Sequence, residues 1–388
     1  MSQAKANMQQ QPFIASRWER NSADDFMIWV KNSGVGRVRT STLGQAVSQL
    51  WLDYAESASK SELAEKLPDV LRSCDSLSFQ QPSEAIAYAG LHLVDRYGRI
   101  MQVLEYLLRV GRLPIRKTRV SILEVGSGPA PALYATRDFY AMLHEWPARG
   151  EVEVANVKVA DSLERGDAWD RTLHYLSEYL MLARQETNPM ALPFQRAIHD
   201  LSGFKVKTRH NEAVAERAHW IRHEFDSADE YISSAAAFKI AYEEGVHAPS
   251  AYDMIFMCNF LTQTEMAERF ETELLDLANS LTPGGVLVVM GGVGASYPEI
   301  YEKVRNIARS AKLTDVSPTE VFDPNKSPQL DIVRDHVLAN VAAALGDCDR
   351  NTRDYIQKKL PKDIVEPAVE FILPKYRALL FVNQKQRK

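Results

Sequence analysis

Arg119 to Leu133 read R-V-S-I-L-E-V-G-S-G-P-A-P-A-L. Val120, Ile122 and Leu123 make a short apolar run ending at Glu124, and Gly126, Ser127 and Gly128 follow, so a buried strand stops here. Pro129 and Pro131 lack amide hydrogens and fix φ, which suits a turn or the first helical positions, and the helical spacing of Leu133, Tyr134 and Phe139 then takes over. Strand, glycine turn and helix are the nucleotide-binding start of a doubly wound α/β fold, where missing Cβ atoms let the backbone approach a ligand closely.

The dinucleotide fingerprint asks for a third glycine, and this chain places Pro131 there. Glu124, just ahead of the glycines, would repel a pyrophosphate and suits a cationic ligand instead. The residues E-V-G-S-G-P-A-P resemble motif I of the class I S-adenosylmethionine-dependent methyltransferases, whose cofactor carries an ammonium and a sulfonium. The resemblance implies a Rossmann-like fold with a mostly parallel seven-stranded sheet. It also implies S-adenosyl-L-methionine as cofactor, held by Glu124, Gly126, Ser127, Gly128 and Pro129.

Further segments extend the pattern. Val152 to Val159 alternates as a second strand closing on Ala160-Asp161-Ser162, where a carboxylate accepts two hydrogen bonds from a vicinal diol; Asp161 and Ser162 are therefore expected at the ribose, although a plain helix N-cap would explain Asp161 as well. Ala218 to Phe225 (A-H-W-I-R-H-E-F) reads as a third strand followed by Asp226, and the resemblance assigns Phe225 and Asp226 to the adenine. Alternation along that strand places His219 and His223 on one face and Glu224 on the other, so no metal site is expected. Ser250 to Leu261 is the fourth strand and its loop, where the resemblance puts Asn259 and Phe260 at the cofactor and Thr262 at the substrate, with Cys258 in the core. The Asp/Asn-Pro-Pro-Tyr/Phe signature of exocyclic-amine methylation is absent, as is a Pro-Cys nucleophile. Leu281 to Met290 (L-T-P-G-G-V-L-V-V-M) resembles the family's fifth-strand motif: a turn with Pro early and Gly at positive φ, leading into a strand buried on both faces.

Composition bounds the partners. The chain has 388 residues, 45% hydrophobic and 25% charged, as in ordinary globular proteins. A net charge of −5 gives no global field to gather nucleic acid. The 3 cysteines, Cys74, Cys258 and Cys348, form no metal-ligand spacing. The polar N-terminus has no apolar core of signal-peptide length, and no uncharged span is long enough to cross a bilayer, so a soluble, cytoplasmic protein without membrane contact is expected.

Residues 1–16 read as a mobile tail, 17–112 as a helical cap domain, 113–314 as the cofactor-binding core, 315–370 as a helical insertion, and 371–388 as the final strand with a basic tail. Aromatics and arginines interleave from Arg17 to Arg39, a pattern whose default is packing on its own domain with charges in solvent. The helix before the glycine motif carries Tyr88, His92, Arg96, Tyr97 and Arg99, of which Tyr88 and Tyr97 are substrate-side candidates. That helix, with G-S-G-P-A-P-A-L, is distantly similar to the methyltransferase-like proteins of mitochondrial small-ribosomal-subunit assembly, but scattered cysteines cannot reproduce their iron-sulfur cluster. The expected activity is methyl transfer to a small molecule, protein or RNA, with no specific base required. The alternative is a cofactor-binding protein of this fold with an assembly or regulatory role. An aminopropyl transferase would need acidic residues in the fourth-strand loop, and C-N-F-L-T-Q has none.

Overall fold

The computed structural model describes residues 20–57, 61–73, 79–115, 119–149, 156–164, 168–183, 194–198, 201–226, 232–243, 250–366 and 369–384. The expected tail 1–16 and Cys74 lie outside them. Four helices come first: α1 (Arg20–Ser33), α2 (Val35–Ser57), α3 (Glu62–Ser73) and α4 (Pro82–Arg109). The α/β portion follows as β1 (Arg119–Val125), α5 (Pro131–Glu145), β2 (Asn156–Glu164), α6 (Asp170–Ala183), β3 (Phe194–Ile198), α7 (Val206–Asp226), α8 (Ser234–Glu243) and β4 (Tyr252–Cys258). It continues with α9 (Thr264–Arg269), α10 (Glu271–Asn279), β5 (Leu281–Gly291), α11 (Tyr297–Ser310) and β6 (Thr314–Asp315). Helices α12 (Leu330–Gly346), α13 (Arg350–Gln357) and α14 (Lys362–Val365) precede β7 (Arg377–Val382).

The strands form one sheet in the order β3-β2-β1-β4-β5-β7-β6. Pairs from β3 through β5 are parallel, and β7 is antiparallel to both β5 and β6. The chain leaves β1 for β2 on one side and later returns to β4 on the other, so the strand order reverses at β1. The carboxyl ends of β1 and β4 therefore flank the crevice where open α/β sheets take their ligands.

Period-two alternation divides the core. Val120, Ile122, Met254, Phe256, Val286, Val288, Leu380 and Val382 share one apolar cluster with α1–α6 and α12. Leu123, Val125, Ile255, Met257, Leu287, Val289, Leu379 and Phe381 share the other with α9–α11. Strands β1, β4, β5 and β7 are buried on both faces, which explains their apolar runs. Helix α4 carries a buried intrahelical Asp95–Arg99 pair at 2.9 Å and is tied to the segment before β7 by the Tyr376 hydroxyl, which donates to the Arg99 carbonyl at 2.9 Å.

Two strand expectations are corrected. Ala218 to Phe225 is the last part of α7, and the third strand is Phe194–Ile198. Phe225 and Asp226 thus end a helix and do not follow a sheet strand. The buried residues Val206, Ala213, Val214, Ala218 and Ile221 recur at helical intervals, and that longer period overrides the short alternation. The second strand does not close at Asp161: Asp161 and Ser162 pair with Leu123 and Glu124 inside it, and it runs on to Glu164. The L-T-P-G-G segment forms a bulge within β5, since Tyr252 pairs with Leu281 and Met254 with Val286; Gly284 there has φ +77, as its turn chemistry requires.

Candidate functional site

The glycine turn lies beyond β1, at the reversal point of the sheet. Gly126 and Gly128 have φ of +61 and +51, and Ala130, the residue capping α5, has φ +58. A Cβ on Gly126 would lie 2.4 Å from Phe260 Cδ2, and one on Gly128 would lie 3.4 Å from Trp169 Cζ2. Both positions therefore need glycine for conformation, and at Gly126 the overlying ring demands it too.

Glu124 is engaged by the start of α5. Val120 and Ile122 face the first cluster, so alternation points Glu124 the same way, beneath the start of α5. Its carboxylate accepts from Ala132 N at 3.0 and 3.2 Å and from Leu133 N at 3.2 Å. Ala130 has no side chain with which to cap the helix, and a buried carboxylate against the positive helix start replaces it.

Cys258 follows Phe256 on the same sheet face. Burial pushes its thiol well above the usual range, with the Glu124 charge adding to the rise and the Arg96 charge opposing it. Asn259, next in the chain, has φ +55, and its N–H donates to Met290 O at 2.9 Å. Its amide oxygen accepts from Arg96 Nη1 at 3.1 Å and Nη2 at 2.9 Å in the orientation that satisfies both side chains. The left-handed backbone at Asn259 directs Phe260 back over Gly126 toward the second cluster, where its ring lies 5.8 Å from Phe270.

The other side of the turn is aromatic. Trp169 is buried over Gly128, with Phe79 at 5.0 Å and Tyr88 at 5.8 Å between ring centroids. His92 lies 4.8 Å from Tyr88, and burial together with the Arg96 charge lowers its pKa to about 4. The structure thus brings Gly126, Gly128, Asn259, Phe260 and Tyr88 together, with Ser127 and Pro129 buried in the same turn. Thr262 stands farther along the β4 loop, its hydroxyl 3.7 Å from Met266 Sδ.

Tyr97 lies inside the fold. It is fully buried and donates to Asp138 of α5 at 2.9 Å, and Asp138 also pairs with Arg39 at 3.2 Å. From sequence, Trp169 reads first as core because it stands among apolar residues at helical spacing, while Phe79 lies between α3 and α4 with no periodic neighbours to mark it. Arg96 was one of several polar residues on its helix; its four-residue spacing from Tyr88 and His92 is the signal that marks a common face. Among the described residues, no group of His, Cys, Asp and Glu could hold a metal, and no helix is long and apolar enough to cross a membrane.

The sheet is mostly parallel and a left-handed glycine turn follows β1, as the two motifs implied; the placement of a reversed β7 between β5 and β6 comes from the structure. The chain has a Rossmann-like fold. No family model and no curated protein matches it. Among solved structures, it is similar to a Haemonchus contortus phospholethanolamine N-methyltransferase 2 in complex with phosphomonomethylethanolamine and S-adenosylhomocysteine, at TM-score 0.38 and 12% identity, covering 80% of this chain and 61% of that one. It is also similar to a Haloferax volcanii methyltransferase in complex with the Trm112 methyltransferase activator, at TM-score 0.36 and 13% identity, covering 80% of this chain and 100% of that one. A Listeria monocytogenes class I S-adenosylmethionine-dependent methyltransferase gives TM-score 0.36 and 10% identity, covering 89% and 88%.

Proposed function

We propose that the chain binds S-adenosyl-L-methionine at the β1–β4 crevice and transfers its methyl group to an acceptor. The observation that carries this reading is the glycine turn, whose left-handed backbone stands at the reversal point of the sheet. The residues fit such a group: Gly126 and Gly128 keep side chains off the turn, and aromatic rings flank it on both sides. When bound, the cofactor would supply an activated sulfonium methyl, whose carbon an acceptor lone pair attacks in line while the C–S bond breaks and S-adenosylhomocysteine leaves.

The chain's own part is alignment and exclusion of water. Gly126 and Gly128 would let backbone approach the aminoacyl and ribosyl parts, and Asp161 of β2 is the residue proposed for the ribose hydroxyls. Trp169, Phe79 and Tyr88 close one side and Phe260 the other; a cation against such faces gains about 0.5–2 kcal/mol. Glu124 would act through α5, keeping the helix start in place under the turn. Phe225 and Asp226 have no part here, because they end α7.

Calorimetric titration of the full chain with S-adenosylmethionine, repeated on Gly128→Val, tests the site. We expect binding to the parent chain and a loss of about tenfold or more in the variant, which remains folded by circular dichroism. Undiminished affinity would remove the ligand from this turn. Formation of S-adenosylhomocysteine with cell extract as acceptor source tests transfer itself.

A further inference from the structure

Helices α7 and α8 pack on each other and keep an apolar cluster of their own, formed by Val214, Ala218, Ile221, Ala237 and Ala241, apart from the two clusters that flank the sheet. The base of α7 is tied to α10 by two bonds, from Gly203 N to the Glu273 carboxylate at 2.7 Å and from Val206 N to the Asp276 carboxylate at 3.1 Å. Residues this small give the helix pair a thin core, yet Trp220, the one tryptophan of α7, is 59% exposed. Burying a tryptophan against a partner is among the largest gains one side chain can make. At about 100° per residue, Arg209, Ala213, Glu216, Arg217, Trp220 and Glu224 fall within one sector of α7, roughly a third of a turn from the row that faces α8. Along that sector Arg217 pairs with Glu224 at 3.7 Å. The spacings between the six are four, three, one, three and four, the same in both directions, while the residue types invert about the midpoint: Arg answers Glu, Ala answers Trp, and Glu answers Arg.

We propose that this face of α7 is the contact between two copies of the chain, packed antiparallel about a two-fold axis between Glu216 and Arg217. In that register Arg209 of each copy stands opposite Glu224 of the other, and Glu216 opposite Arg217, so every charge of the row meets its opposite. A parallel arrangement would set like charges together. Trp220 of each copy lies over the buried Ala213 of the other, whose small side chain leaves the indole room against the Arg209 and Arg217 stems. Arg217 keeps its own Glu224 as it gains a second carboxylate, since a guanidinium has donors for both. The occupant is a second copy because the face is complementary to itself, as an isologous contact must be. The row spans about 22 Å of helix, and with one tryptophan as its anchor the association belongs to the micromolar range.

The test is sedimentation velocity on the full chain at about 1 to 100 µM, with the folding of each variant checked by circular dichroism. The parent chain is expected to dimerise reversibly over that range, and Trp220→Ala to weaken the dimer by about tenfold or more. Arg209→Glu and Glu224→Arg, each alone, set like charges opposite one another and should weaken it by about tenfold as well. Mixed in equal amounts, these two variants restore opposite charges at both ends of the row, so a dimer holding one of each should form with affinity close to that of the parent. Chains that had merely lost their fold would not recover on mixing. A parent chain that stays monomeric at the highest concentration, a dimer that none of the three substitutions weakens, or charge-reversed chains that stay apart when mixed each overturns the proposal; in the first case a different protein is the occupant left for Trp220. None of these outcomes depends on the cofactor, whose binding calorimetry scores separately.

Discussion

Glu124 shows how one residue's role depends on its face. Beside a glycine turn, a carboxylate reads as a ligand group, but alternation along β1 turns it toward α5, whose first amides need an acceptor. Replacing Glu124 by Gln retains the shape and loses the charge, and we expect a destabilisation of about 1–2 kcal/mol; Glu124→Ala, which strands buried amides, should cost about 1–3 kcal/mol and be the worse of the two. Urea unfolding of the two variants measures this, and equal stability to the parent chain would contradict the capping role. The glycines behave differently. Their positive φ could be read directly from residue type, because no other residue adopts that backbone freely, whereas the rings above Gly126 and Gly128 come from distant segments that no local pattern connects.

At the scale of elements, α4 does two jobs on different faces. Tyr97 ties it to α5 through Asp138, while Tyr88, His92 and Arg96 lie toward the crevice. Tyr97→Phe should therefore lower stability by about 1 kcal/mol and leave S-adenosylhomocysteine affinity unchanged, as chemical denaturation and calorimetry would show; a drop in affinity would return Tyr97 to the site. The helical character of α4 was legible from its long periodic run, but which face turned to the crevice was not, since both carry tyrosine. The expected strand at Ala218–Phe225 failed for the opposite reason: a short alternating window inside a longer helical one was read at too small a scale.

Across the whole molecule, buried histidines link the packing of separate elements to pH. His336 of α12 sits 3.3 Å from Ser48 Oγ of α2 and 3.1 Å from Asn340 Nδ2, which also donates to Gly90 O of α4 at 3.0 Å. Burial lowers its pKa from 6.5 to about 4, and burial with the Arg96 charge does the same to His92. Both rings stay neutral in the fold while the unfolded chain gains protons, so stability is full above pH 6.5 and falls as pH drops toward about 4. Each histidine can account for about 3 kcal/mol over that window. Glu105 works against the trend, because burial raises its pKa and acid favours its folded form. Urea midpoints measured from pH 7 to pH 4 should decline, and His336→Gln should flatten the slope; a slope unchanged by that substitution would free His336 from this role.

By itself, the sequence determined the local geometry: where β1 stops, which positions need glycine, and that β5 is buried on both faces. These depend on backbone torsion and on the period of apolar residues, which neighbours in the chain control. Only the tertiary structure decided that Glu124 serves a helix, that Trp169 and Phe260 cover the turn, and that Arg96 meets Asn259. Such contacts join residues far apart in the chain, and their partners are chosen by how helices and sheet pack, a choice no single segment encodes.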